Sequence, residues 1–270
     1  MSDTSVKSAE INETQLRREG GIAVLTINNL ARRNALSPKV RETLNGYLTE
    51  LMADKSCRAI VLTGAGGTFC AGADVAGMKA REGTVTFQSR RQSVAEGTSK
   101  TIKILVGPKP VVMAVEGSAF GAGFSLAIGG DYTVAADNAR MCGAQILRGL
   151  CPDGGLYYLL AARCGAGRAR EILLSGRIVN GVEAERHGIV HEVVAPGKTL
   201  EAAMIAAERF AAVPPLAFAL TKSAMINSYH TLEACFRAEQ DYQPIVGLSK
   251  DHKESVSAFL EKRKPTYTGE

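Results

Sequence analysis

Two segments of small residues, GTFCAGADVAGM (67–78) and EGSAFGAGFSLA (116–127), each follow an apolar run. Turns built from glycine and alanine leave backbone N–H groups bare. Two such groups aimed at one point form an oxyanion hole, which holds the negative charge that develops on a carbonyl oxygen. The oxygen reaches the backbone only where side chains are absent or tiny. Two tight turns in a packed sheet would need the same composition, so the residues alone leave both readings open. Other chemistries match less well. GAGFSLA has Leu126 where a dinucleotide fingerprint needs its third glycine, and no G-K-[ST] of a P-loop occurs. GFSLA approaches a nucleophile elbow around Ser125, but an elbow serine sits directly after its strand, and Ser125 lies well past VVMAV. His187 and His191 flank GIV in an expected strand and read as surface histidines rather than metal ligands. The six cysteines, at 57, 70, 142, 151, 164 and 235, form no C-x-x-C pair.

These turns need strands to hold them. GGIAVLTINN (20–29), CRAIVLTGAGG (57–67), KPVVMAVEG (109–117), DYTVAAD (131–137) and HGIVHEVV (187–194) read as buried strands. Between the first two, Ser37 and Pro38 cap a helix whose Val40, Leu44, Leu48 and Leu51 recur at helical spacing. From residue 199 the chain changes to four helical segments, TLEAAMIAAERFAAV, PPLAFALTKSAMINSY, TLEACFRAEQDYQPIVGL and KDHKESVSAFLEKRK. The expected fold class is therefore α/β, with a core over 12–198 and a helical C-terminal region over 199–267. Four such helices carry more apolar surface than they can bury alone, which points to self-association.

Composition narrows the function. The chain has 270 residues, 46% hydrophobic and 22% charged, which suits an ordinary globular protein. Its net charge of +5 is spread over LRREG, ARRNA, SRRQS and EKRKP, with no aromatic–basic stripe for nucleic acid. No apolar run approaches the roughly 18 residues of a membrane span. The polar start MSDTSVKSAEINE is neither a secretory signal nor a transit peptide, and unpaired cysteines suit a reducing compartment. A cytoplasmic location is the expectation.

ARRNALS, GTFCAGADVAGM, PVVMAVEGSAFGAGFSLAIGGDYTVAADNARM, GLCPDGGLYYL and SVSAFLEKRKP together resemble the crotonase (enoyl-CoA hydratase/isomerase) superfamily, over about residues 15–267. The resemblance implies a ββα spiral core, a helical C-terminal region packed in trimers or dimers of trimers, and an acyl-CoA thioester as substrate. It implies no metal and no redox cofactor. By position, it places the oxyanion donors at the N–H groups of Ala73 and Ala122. Ala122 stands where family members usually have glycine, at the start of a helix whose dipole would add to the two bonds. Ala71, Asp74, Val75 and Ala76 would line the acyl and CoA path, with Asp74 bracing its loop. Arg33 or Arg32 would meet the CoA phosphates. Phe259 and Lys262 match a C-terminal pair that reaches the nucleotide end. Asp131 falls where the family ends a helix and starts a strand, a structural position.

The departures lie in the acid and base. At the two positions where hydratases carry glutamates this chain has Ser125 and Gln145, neither of which transfers a proton near neutral pH. Asp153 stands where most hydratases have glycine and where dienoyl-CoA isomerases and chlorobenzoyl-CoA dehalogenases carry a functional aspartate. The dehalogenases also use a tryptophan and an upstream histidine; this chain has no Trp, and its first histidine is His187. Asp153 is thus the candidate acid/base or nucleophile, or else an N-cap for the helix that follows. The expected function is an acyl-CoA enzyme that stabilises a thioester enolate, with isomerisation, decarboxylation or hydrolysis favoured over hydration. The alternative is a protein of the same fold that binds acyl-CoA without turning it over. The polar, irregular stretch within 76–100 and the C-terminal helices are expected to wall the pocket.

Overall fold

The computed structural model describes residues 13–270, apart from 81–82, 98–100, 103–104 and 229; part of the expected pocket wall at 76–100 lies outside the described residues. Strands β1 (Thr14–Glu19), β2 (Ile22–Ile27), β3 (Ala59–Gly64), β4 (Val111–Val115), β6 (Tyr132–Ala136) and β9 (Glu192–Val194) form a sheet in the order β1-β2-β3-β4-β6-β9. The β1–β2 pair is antiparallel and the rest are parallel. A second sheet joins β5 (Ser118–Phe120), β7 (Arg140–Cys142) and β8 (Ile178–Asn180) in the order β5-β7-β8.

Both faces of the sheet's inner strands are covered, so β2, β3, β4 and β6 are largely apolar and the two-residue alternation sorts neighbours between faces. Ile22, Val24, Ala59, Val61, Val112, Ala114 and Val134 face helix α7 (Thr199–Ala211), which meets them with Ala203, Ala206 and Ala207. Ala23, Leu25, Ile60, Leu62, Met113 and Val115 face the main core with helix α1 (Pro38–Ala53). Helix α1 begins as its sequence predicts. The Val40 N–H donates to the Ser37 hydroxyl, and Pro38 fills the first turn, where a missing N–H costs nothing. The first of the four C-terminal helical segments thus packs on the sheet itself.

Further helices are α2 (Val75–Lys79), α3 (Phe87–Glu96), α4 (Ala122–Ala127), α5 (Leu156–Ser175), α6 (Gly181–Arg186), α8 (Pro215–Asn227), α9 (Leu232–Gly247) and α10 (Lys250–Leu260). Helix α5 is broken at Gly165, whose dihedrals leave the helical region. The expected strand at 187–194 is only partly a strand. His187 ends α6, Ile189 and Val190 are buried in the turn that follows, and pairing begins at Glu192. Burial in a turn produced the apolar run that reads as a strand. Among the described residues no single helix is long and apolar enough to cross a membrane.

Candidate active site

The two small-residue segments are bound to each other. Cys70 and Ala119 form a parallel bridge, in which the Cys70 N–H donates to the Ser118 carbonyl and the Phe120 N–H donates to the Cys70 carbonyl, each at 2.9 Å. A second bridge joins Leu36 to Ala73, with the Leu36 N–H donating to the Gly72 carbonyl at 2.7 Å. Gly72 has φ +91°, and a Cβ there would lie 2.4 Å from the Phe120 carbonyl oxygen and 3.5 Å from the Ala122 nitrogen. The backbone beside Ala73 therefore runs against the backbone at Ala122, and only glycine permits it.

Gly121 precedes α4 with φ +55° and no side-chain cap, so the first N–H groups of the helix are not bonded by its N-cap. The Gly121 carbonyl takes the N–H groups of Phe124 and Ser125. Among the described residues, neither Ala73 nor Ala122 donates its N–H to a backbone carbonyl. Two free amides thus emerge from adjoining turns, the arrangement a carbonyl oxygen needs. With six residues α4 is under two turns long. It offers the amide more than the macrodipole expected from the sequence.

Near this pair sit Ser125 and Gln145, the side chains named from the sequence together with Asp153. Ser125 is buried within α4 and its hydroxyl donates to the Asp153 carbonyl at 2.8 Å. It lies inside a helix rather than on a strand–helix turn, which removes the elbow reading. Gln145 Nε2 donates to Asp153 Oδ1 at 3.1 Å. The amide group of Gln145 also lies close to Gly121, with Oε1 3.5 Å from where a Cβ there would be. The opposite amide orientation would set two oxygens against each other, so the donor assignment follows from chemistry. Gln145 Oε1 is buried and has no hydrogen-bond partner.

Asp153 does not cap helix α5. The N-cap is Gly155, with no side-chain bond, and it is the Asp153 carbonyl that accepts the Leu156 N–H, at 3.3 Å. Of the two roles left open by the sequence, the cap is not the one the carboxylate plays. Ser125 fixes its backbone, Gln145 fixes one of its oxygens, and among the described residues Oδ2 is claimed by no hydrogen bond or ion pair.

On the first turn, Asp74 is buried and caps α2 through the Gly77 N–H at 3.1 Å, while its other oxygen accepts the Arg32 guanidinium. Arg32 is thereby committed to the protein. Arg33 is exposed, in the left-handed region at φ +51°, and its carbonyl accepts the Ala71 N–H at 3.0 Å. Between the two candidates, Arg33 is the one whose guanidinium pairs with no carboxylate among the described residues. Val75 and Ala76 are exposed beside Asp74, and Ala71 is half-buried.

Phe259 and Lys262 lie elsewhere, at the end of α10. Phe259 is 83% exposed and Lys262 adopts φ +54°. The backbone there closes on itself, Lys262 N–H to the Phe259 carbonyl and Arg263 N–H to the Ala258 carbonyl. Neither residue is hydrogen-bonded to the turns at 70–73 or 117–122.

Asn34 plays a part that the sequence reading did not assign. It is fully buried at φ +58°, donates through Nδ2 to the carbonyls of Ala65 and Thr68 at 2.9 and 2.8 Å, and accepts the Asn29 N–H at 2.9 Å. It pins the chain leading into the first turn. The signal was an asparagine in a polar loop, a residue type that tolerates the left-handed region. Asp131 carries the expected structural role: its Oδ2 accepts the Val111 N–H at 2.8 Å and Lys222 Nζ at 2.6 Å.

Comparison with known proteins agrees with this geometry. The family model described as enoyl-CoA hydratase/isomerase matches residues 17–270. The 1,2-epoxyphenylacetyl-CoA isomerase of Escherichia coli strain K12 is 36% identical over 254 residues, 93% of this chain and 96% of that protein. The short-chain-enoyl-CoA hydratase of Clostridium acetobutylicum is 30% identical over 257 residues, covering 94% and 97%. The crystal structure of an enoyl-CoA hydratase from Polaromonas sp. JS666 superposes with a TM-score of 0.88 at 32% identity, over 94% of this chain and 99% of that one. Sequence and fold agree along nearly the whole length, and the chain belongs to the enoyl-CoA hydratase/isomerase family.

Proposed function

We propose that this enzyme binds an acyl-CoA thioester and shifts a carbon–carbon double bond within its acyl chain. The observation that carries the reading is the convergence of Ser125 and Gln145 on Asp153. Where hydratases place two carboxylates, this site holds one carboxylate and two neutral groups that position it. Hydration needs a water activated and a proton delivered. A 1,3-proton shift needs a single group that takes a proton and returns it.

In that step the thioester oxygen accepts the N–H groups of Ala73 and Ala122. Asp153 Oδ2 removes a proton from the α-carbon of a 3-enoyl thioester. The C–H electron pair moves into a dienolate whose negative charge rests on the thioester oxygen. Asp153 then returns the same proton to the γ-carbon, and the double bond comes to lie between the α- and β-carbons. Each oxyanion donor is worth roughly 3 kcal/mol in the transition state. No metal or redox cofactor enters this sequence. The name of the Escherichia coli relative, an isomerase, is in keeping with it.

Arg33 would meet the phosphates of CoA, and Val75 and Ala76 would flank the acyl path. Phe259 and Lys262 would serve the nucleotide end of a neighbouring subunit in a trimer or dimer of trimers. Their distance in hydrogen-bonding terms from the turns of their own chain suits that role. The unpaired cysteines fit a cytoplasmic setting.

The test compares 3-hexenoyl-CoA, followed by the rise in conjugated-thioester absorbance, with crotonyl-CoA, followed by its loss. The expected result is isomerisation faster than hydration. Asp153→Asn should lower turnover by about 10²- to 10⁴-fold while calorimetric binding of acetyl-CoA persists. Rapid hydration of crotonyl-CoA that survives Asp153→Asn would overturn the reading.

A further inference from the structure

A cavity of about 530 Å³ lies between the end of α4, helix α5 and helix α8. That volume is in the range that holds a small molecule. Ile128, Leu159, Phe218 and Ile226 give it an apolar wall, and Ala162 and Met225, both exposed, mark its mouth. Ala73, Ala122 and Asp153 do not line it, so the thioester chemistry makes no use of this space.

Three charged side chains also reach the cavity: Asp131, Arg163 and Lys222. Asp131 and Lys222 pair at 2.6 Å and sum to zero charge, whichever of them holds the proton. Arg163 has no such partner. Its Nη2 donates to the Gly130 carbonyl at 2.7 Å and its Nη1 to the Ile189 carbonyl at 3.3 Å. Among the described residues it forms no ion pair, and its Nε donates to nothing. Burial lowers the guanidinium only to about 10, so it is charged near pH 7. His191, 3.2 Å from Nη1, adds no charge, because burial and the adjacent guanidinium push it down to about 4. The lining therefore carries one net positive charge beside an apolar hollow. A cation drawn out of water favours an anion that arrives with it.

We propose that this cavity binds a medium-chain aliphatic carboxylate, such as decanoate. The carboxylate meets the Nε edge of Arg163, and the alkyl chain lies along Ile128, Leu159, Phe218 and Ile226. Simpler ligands satisfy one half of the site only. An inorganic anion would leave the hollow unfilled, and a neutral hydrocarbon would leave Arg163 without a counter-charge. The site is separate from the paired turns, and the proposal stands whether or not the acyl-CoA reading holds.

The test is calorimetric titration of decanoate and of 1-decanol at pH 7 into the wild-type protein, Arg163→Gln and Ala162→Trp. Decanoate should bind once per chain and about tenfold more tightly than decanol, the advantage of a charge-assisted contact. In Arg163→Gln that ratio should fall to near one. In Ala162→Trp, where an indole at an exposed position blocks the mouth, both ligands should lose at least tenfold in affinity. Equal affinities for decanoate and decanol in the wild-type protein would overturn the proposal, as would the absence of saturable binding. Undiminished binding to Ala162→Trp, or displacement of acetyl-CoA by decanoate, would place the ligand elsewhere and overturn it too. Arg163 also braces two carbonyls; should Arg163→Gln not fold, the wild-type ratio and Ala162→Trp decide the matter.

Discussion

At the scale of single residues, the site divides into what the backbone supplies and what side chains supply. The amides of Ala73 and Ala122 lie beside Gly72, where a Cβ would clash, and Gly121, whose φ of +55° L side chains rarely adopt. Gly72→Ala would force a Cβ to 2.4 Å from the Phe120 carbonyl oxygen, at a φ that L-residues rarely adopt. It should cost about 2 kcal/mol of stability from backbone strain alone, seen as a lowered melting temperature. Displacing one turn by an ångström should lower turnover by about 10²-fold. A variant with wild-type activity would show that the close approach is not needed. Much of this was legible in the sequence, because a demand for small residues is a demand on residue type. The two glycine-rich segments and the identities at 125, 145 and 153 could be read directly. Their mutual service could not. That Ser125 bonds a carbonyl of Asp153 and Gln145 its carboxylate depends on how a turn at 145–155 folds back onto α4. Residue spacing does not encode that. The expected cap at Asp153 failed for a related reason: helix α5 starts two residues later than a capping aspartate requires, after two glycines at positive φ.

At the scale of elements, long apolar strands and capped helices were predictable, and short ones were not. Strands β5, β7 and β8 have three residues each, too few for any periodicity to show, yet β5 leads directly into α4 and so aims the Ala122 amide. Strand β1 was also missed, because an edge strand such as TQLRRE carries charges that resemble a loop. One junction between elements carries a distinct prediction. Lys222 on α8 reaches under the sheet to Asp131, and its ammonium also donates to the carbonyls of Leu105 and Lys109, each at 2.9 Å. Burial pushes the Asp131 carboxyl up and the Lys222 ammonium down from their ordinary values, each opposed by the charge of the other. Such a pair is costly to break from one side, because a lone buried charge remains. Lys222→Met should destabilise the fold by about 3–5 kcal/mol in urea. Lys222→Met with Asp131→Asn should recover part of that loss. If the double variant is as unstable as the two losses added together, the pair is not coupled.

At the scale of the whole molecule, the C-terminal helices are more exposed than a lone subunit favours. Leu232, Phe236, Leu248, Phe259 and Leu260 are all exposed on α9, α10 and the turn between them. These are the side chains that the proposed trimer or dimer of trimers would cover. Sedimentation equilibrium should therefore give three or six times the mass of one chain. A monomer at micromolar concentration would leave these side chains unexplained and would remove the proposed role of Phe259 and Lys262. The sequence indicated this surplus of apolar surface but not its location. It also treated the helices after 199 as one region, whereas α7 closes the second face of the sheet and α8 to α10 lie beyond it.

The division of labour between turns and side chains also bears on how such a protein changes over generations. A backbone N–H has no codon. Single-base changes at Ala73 or Ala122 alter a side chain and, unless they introduce proline, leave the amide in being. Positions 125, 145 and 153 lie outside the strands and outside the lacing of Cys70 to Ala119. On the proposed assignment, the charge-stabilising half of the catalyst is inherited with the fold, while the proton-handling half is open to drift and selection. A lineage can exchange one reaction for another through three codons and keep the same hold on the thioester.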